Sequence, residues 1–208
     1  DTLTRLPKPS QGDLFFDFEG DPLCQGEDPH QFGLEYLWGI LHADGRFDPY
    51  WADDYRQEQD ALEKFMDLVK RQRERHPSMH VYHYAPYEVT ALKRLTARYQ
   101  TREVELDDLL RGHVFVDLYA TVRGSLRVGQ PSYSIKKLEP LYMEEERSHE
   151  EGSVADGGAS VVAYQEYRGA LHSDPAKAQT LRDEIVNYNE YDCVSTLKLR
   201  NWLIERAS

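Results

Sequence analysis

The chain has 208 residues and a formal net charge of −12, from 37 acidic against 25 basic side chains, and 40% of it is hydrophobic. That length and apolar content suit one folded domain with a sizeable core and exclude a disordered tail. The acidity argues against tight non-specific binding to nucleic acid, where a basic footprint is the rule, and no apolar run approaches the ~20 residues that span a bilayer.

No leader pattern opens the chain, and Asp1 is not a Met, so a segment of a longer protein is expected. Cys24 and Cys193 stand far apart without a Cys-x-x-Cys partner, which excludes a disulfide scaffold and a zinc ribbon. A reducing cytoplasm is the expected compartment.

In chain order, Asp13 to Glu19 reads as a short buried strand ending at Gly20, followed by a loop over Asp21 to His30. Phe32 to His42 alternates Leu34, Tyr36, Trp38 and Ile40, and Asp44-Gly45 turns the chain into Phe47 to Trp51. These three strands predict an antiparallel meander. A helix from about Gln57 to Arg75 buries Leu62, Phe65, Met66 and Val69. His80 to Tyr84 is a strand, Pro86 opens a helix to Tyr99, and Val114 to Leu118 is a further strand. Leu118 to Arg127 and Ser134 to Tyr142 read as helices. Glu144 to Gly158 is charged, Gly-rich and expected to be mobile. The last helix has Asp174 as cap and Pro175 in its first turn, and runs to about Arg206. The whole predicts an α/β fold with a mixed central sheet, its first three strands antiparallel, flanked by helices.

Three places carry chemistry. Asp17 and Glu19 lie two apart on a strand and so share a face, away from Leu14, Phe16 and Phe18. Two buried carboxylates side by side repel each other and lose hydration unless a cation joins them, so the pair reads either as a metal site or as an exposed strand edge. In the last helix, Leu181, Ile185, Tyr188, Asp192, Ser195, Leu199 and Trp202 form a stripe predicted to face the core. Asp192 within it is either a metal ligand with a phenol one turn earlier, or a buried acid satisfied by Tyr188. Glu88 opens a helix after His83-Tyr84-Ala85-Pro86-Tyr87, where an acid also suits the helix dipole. Asp117 reads best as the cap of the helix that follows it, with a role beside the site or substrate as the alternatives.

The order of these parts resembles the DEDD exonuclease superfamily in its Tyr-bearing subgroup. Asp17-Phe18-Glu19 matches the opening Asp-x-Glu motif, and Tyr188-Asn189-Glu190-Tyr191-Asp192 matches the closing Tyr-x-x-x-Asp. His83 to Glu88 stands at the middle motif, with Glu88 where the family has Asp. The strings Tyr82-His83-Tyr84, Val116-Asp117-Leu118-Tyr119, Tyr133-Ser134-Ile135-Lys136-Lys137 and Tyr188 to Cys193 resemble the ribonuclease H-like domain of YprB-type predicted RecB-like nucleases, across about Asp13 to Leu203.

The resemblance implies a ribonuclease H-like fold, a single such domain over residues 1–208, and 3′→5′ exonuclease activity. It implies two Mg²⁺ or Mn²⁺ ions, with Asp17 bridging both, Glu19 and Asp192 completing the first site, Glu88 supporting the second, and Tyr188 orienting the attacking water. It also implies covalent or associated RecB-like nuclease or helicase modules as partners. Tyr133, Lys136 and Lys137 are candidate contacts to a single strand with a 3′ end, against a solvated helix face as the alternative. His83 and Tyr84 are candidates to line the same cleft. The rival function is a nucleic-acid-positioning module that keeps the fold without turnover.

Overall fold

A computed structural model describes residues 6–26, 31–125, 133–144, 154 and 156–207. Its centre is a five-stranded sheet of order β3-β2-β1-β4-β5. The strands are β1 Leu14–Gln25, β2 Phe32–His42, β3 Phe47–Trp51, β4 Val81–His83 and β5 Phe115–Asp117. β1, β2 and β3 pair antiparallel as the alternation predicts, and β4 and β5 run parallel to β1. The mixed α/β architecture expected from the sequence is therefore the one observed.

The Asp44-Gly45 turn joins β2 to β3, with Gly45 at φ +90, a conformation that a side chain disfavours. Helix α1, Tyr55–Arg75, starts where the Asp54 carboxylate accepts from the Gln57 amide at 2.7 Å. Helices α2, Tyr87–Tyr99, and α3, Glu103–Arg111, follow on either side of a short turn. These three cover one face of the sheet, where Leu14, Phe16, Phe18, Trp38 and Ile40 meet Leu62, Phe65, Leu92, Leu95 and Leu106. The opposite face carries Phe15, Leu41 and Tyr82 beneath helices α4, Leu118–Ser125, and α7, Pro175–Ala207. Helix α6, Gly157–Ala170, stacks Tyr164 on Tyr36 with ring centroids 3.9 Å apart.

Several expectations need correction. β1 does not end at Gly20: past a bulge at Glu19/Gly20 it stays paired with β2 as far as Gln25↔Phe32, so much of the expected loop is ribbon. Helices α3 and α6 are additional to the elements expected from the sequence. The single helix expected over 134–142 breaks into α5, Ile135–Leu138, and a 3-10 turn, Glu139–Leu141. Pro140 has no N–H to give and crowds the residue before it, which ends the α-helix. The expected mobile stretch falls largely on residues 145–153 and 155, outside the described residues, as does the far end of the helix expected over 118–127.

Helix α7 begins as predicted, with the Asp174 carboxylate accepting from the Lys177 amide at 3.0 Å. Its packing face is rotated from the predicted stripe. Ala178, Ile185, Asn189, Cys193, Ser195, Thr196, Leu199, Arg200 and Leu203 are buried, so that Ile185, Ser195 and Leu199 of the predicted stripe keep their places, while Tyr188, Asp192, Leu181 and Trp202 are half-buried at its margins. Arg200 fastens the lower end of α7 through a 2.7 Å ion pair to Asp13, both side chains almost wholly buried. Its guanidinium lies 4.9 Å from the Phe15 ring centroid and 4.8 Å from that of Tyr82. No helix among the described residues is long and apolar enough to cross a membrane.

Candidate metal centre

Strand alternation puts Phe15, Asp17 and Glu19 on the face that α7 covers. Phe15 packs in the core there, and the next two positions along the strand carry acids. Helix α7 crosses above them and brings Asp192 to the same place. Ligand atoms of Asp17, Glu19 and Asp192 all lie within 4.8 Å of one another. Residues far apart in the chain thus converge on one small volume.

The electrostatics of that volume are unfavourable without a counter-charge. Glu19 is only 6% exposed. Burial, and then the charge of Asp192, push its carboxyl up to about 8, although hydrogen bonds from Ser160 and Asn189 and the charge of Lys136 pull it back. Such a group either holds a proton or shares a cation. The converging donors are all carboxylate oxygens, a set suited to Mg²⁺ or Mn²⁺ and not to Zn²⁺. The residues present therefore fit a divalent cation.

Glu88 stands outside this group of three. It is 3% exposed at the start of α2, and its Oε2 lies 3.4 Å from His83 Nδ1. Burial raises its carboxyl, with His83 pulling the other way. His83 is itself buried, and its Nδ1 lies 2.8 Å from the Ala85 carbonyl oxygen. Ala85 adopts φ 74, a strained conformation for a residue with a Cβ. Asp117 holds that bend by accepting from the Ala85 amide at 2.9 Å. The same oxygen accepts from the Tyr119 amide, also at 2.9 Å, which is the helix cap expected from the sequence. The Cys193 thiol, fully buried on α7, is pushed well up by burial and then by the charges of Asp17, Asp192, Glu19 and Glu88.

The phenol of Tyr188 lies one turn before Asp192 and accepts from Lys136 Nζ at 3.1 Å, with the ammonium 5.3 Å from its ring centroid. Lys136 therefore joins the centre rather than an open helix face. Lys137, its neighbour, is exposed. Tyr84 donates from its hydroxyl to the Tyr133 carbonyl and meets the Tyr119 ring edge-on at 5.6 Å. The candidates Tyr84 and Tyr133 thus touch each other, half-buried beside the parallel strands.

Two residues at the centre escaped the sequence reading. Asn189 is fully buried and donates from Nδ2 to Asp17 Oδ2 at 2.9 Å. Ser160 of α6, also fully buried, lies 2.5 Å from the Tyr36 hydroxyl and helps to lower the Glu19 carboxyl. Nothing in the sequence marks Ser160, because its partners come from distant strands. Asn189 carries a signal in its position: it lies four residues from both Ile185 and Cys193, on their stripe.

A family model described as "RNase_H superfamily" matches residues 14–204. No curated protein and no solved structure matches the chain.

Proposed function

The chain belongs to the ribonuclease H superfamily, and from that premise we propose that it is a metal-dependent 3′→5′ exonuclease of the Tyr-bearing DEDD subgroup. The superfamily indicates a nuclease acting on nucleic acid. The observation that carries the finer reading is the convergence of Asp17, Glu19 and Asp192 within 4.8 Å, with the Tyr188 phenol one helical turn away. The resemblance of the four motifs to YprB-type domains supports it.

Asp17, Glu19 and Asp192 would hold one Mg²⁺ or Mn²⁺ ion, and Glu88 would support a second. When bound, such ions neutralise the charge that develops on the phosphoryl oxygens during hydrolysis. Tyr188 orients the attacking water, and Lys136 fixes the phenol that does so. Lys137 and Tyr133 would contact a single strand entering by its 3′ end, and His83 and Tyr84 would line the same cleft.

The test is cleavage of 5′-labelled single strands in Mn²⁺, beside Asp17→Asn and Asp192→Asn variants. A ladder shortening from the 3′ end, absent in both variants, is expected. Loss of 3′ ends in all three proteins alike would remove the assignment. The position of Glu88 favours a second reading, a binding module with little turnover, because its carboxylate faces His83 rather than the three acids. Strand binding that needs the acids, without cleavage, would select it.

A further inference from the structure

Asn189 is wholly buried in the middle of a long helix, a place where an amide normally costs stability unless its hydrogen bonds are made. Its Nδ2 carries two hydrogens. The contacts direct that nitrogen at the acids of β1: it donates to Asp17 Oδ2 at 2.9 Å, and the same side chain helps to lower the neighbouring Glu19 carboxyl. The other end of the amide makes no hydrogen bond. Asn189 Oδ1 is buried without a partner and rests against Gly39 of β2, the residue directly opposite Asp17. A Cβ on Gly39 would fall 1.7 Å from that oxygen. The sheet has thus been cleared at one position so that the amide can lie flat against it. Turning the amide over would aim its oxygen at two carboxylates, so the neighbouring groups fix its orientation.

We infer that Asn189 is a positioning residue of the metal centre, holding Asp17 beside Glu19 through its amide nitrogen and so assembling the site before a cation arrives. This rests on the metal-centre reading above and adds to it what keeps the acids together in the empty protein. A neutral donor does so without adding charge. Partners of this kind that orient metal ligands typically change metal affinity by about 10–100-fold when removed.

The experiment is a Mn²⁺ titration of the full chain, read as free Mn²⁺ by electron paramagnetic resonance, with thermal unfolding in chelator as a second readout. Asn189→Ala removes the donors, and Asn189→Leu removes them while keeping the volume. Cys193→Ala, one turn along the same face and also packed on Gly39, opens a space without touching a donor. The expected result is a loss of Mn²⁺ affinity of about 10-fold or more in both Asn189 variants, with the parent affinity kept in Cys193→Ala even where its unfolding temperature falls. Equal affinity in all proteins, or an equal loss in Cys193→Ala, overturns the inference while leaving the metal centre standing. Failure of both Asn189 variants to fold, with Cys193→Ala folded, also overturns it, since the amide would then serve the fold. A parent chain that binds no Mn²⁺ removes the metal centre and this inference together.

Discussion

At the scale of single residues, the centre is a competition between like charges that a few donors moderate. Lys136 is the informative case, because it touches Tyr188 and its charge also reaches Glu19. If it acts through the phenol, Lys136→Met and Tyr188→Phe should each lower kcat, and the double variant should be no slower than the worse single one. If Lys136 instead grips a phosphate, Lys136→Met should raise KM, lower the salt dependence of binding by about one ion, and add to the Tyr188 effect. The acids of this centre could be found by periodicity, since an acid two places along a hydrophobic strand, or on an apolar helical stripe, breaks a pattern. Asn189 could be found that way only on the stripe of Ile185 and Cys193, one position round the helix from the stripe expected through Tyr188 and Asp192. A polar residue in a helix reads as solvent-facing until its partner is known, and that partner, Asp17, lies at the far end of the chain.

At the scale of elements, α7 is the part on which the site depends. Its start was legible from Asp174 and Pro175, because capping is local chemistry. Its rotation was not, because Gly39 decides which turn of the helix can approach the sheet. Adding a methyl there is expected to cost about 1–3 kcal/mol by overpacking. Gly39→Ala should therefore lower the urea midpoint and weaken Mn²⁺ binding in the same protein. The lower fastening gives a larger effect. Arg200→Met leaves the Asp13 carboxylate buried without its counter-charge, held only by the Ser10 and His80 amides, and a loss of about 3–5 kcal/mol is expected in denaturant unfolding. A change below ~1 kcal/mol would mean that this ion pair is not what seats the helix. Helix α6 escaped the sequence reading for another reason. Its run Gly157–Ala170 begins with two glycines, and its buried face pairs Tyr164 and Tyr167 with the small residues Ser160, Ala163 and Ala170, so the apolar stripe is weak in the sequence.

At the scale of the whole molecule, a net charge of −12 has to be reconciled with a polyanionic substrate. Part of that charge sits in the centre itself, where bound cations would reverse the local sign. Oligonucleotide binding followed by fluorescence anisotropy should therefore strengthen when Ca²⁺ is added, and the gain should vanish in Asp192→Asn. Equal binding with and without the cation would place the strand elsewhere on the surface. The fold class itself was plain in the sequence: a three-stranded meander followed by alternating helices and strands has few ways to close into one sheet, and the observed order β3-β2-β1-β4-β5 is one of them.

The pairing of Gly39 with Asp17 has one more consequence. Strands can tolerate slippage where neither surface is particular about what it meets, but here the bare spot on β2 must arrive opposite one aspartate. Deleting a single residue ahead of it would bring Ile40 into that place, and its side chain, now packed beneath α1, would turn toward α7 instead. The helix thereby proof-reads the alignment of the hairpin: a misaligned β2 has no room for Asn189, so a chain that folds out of step also loses its grip on the acids.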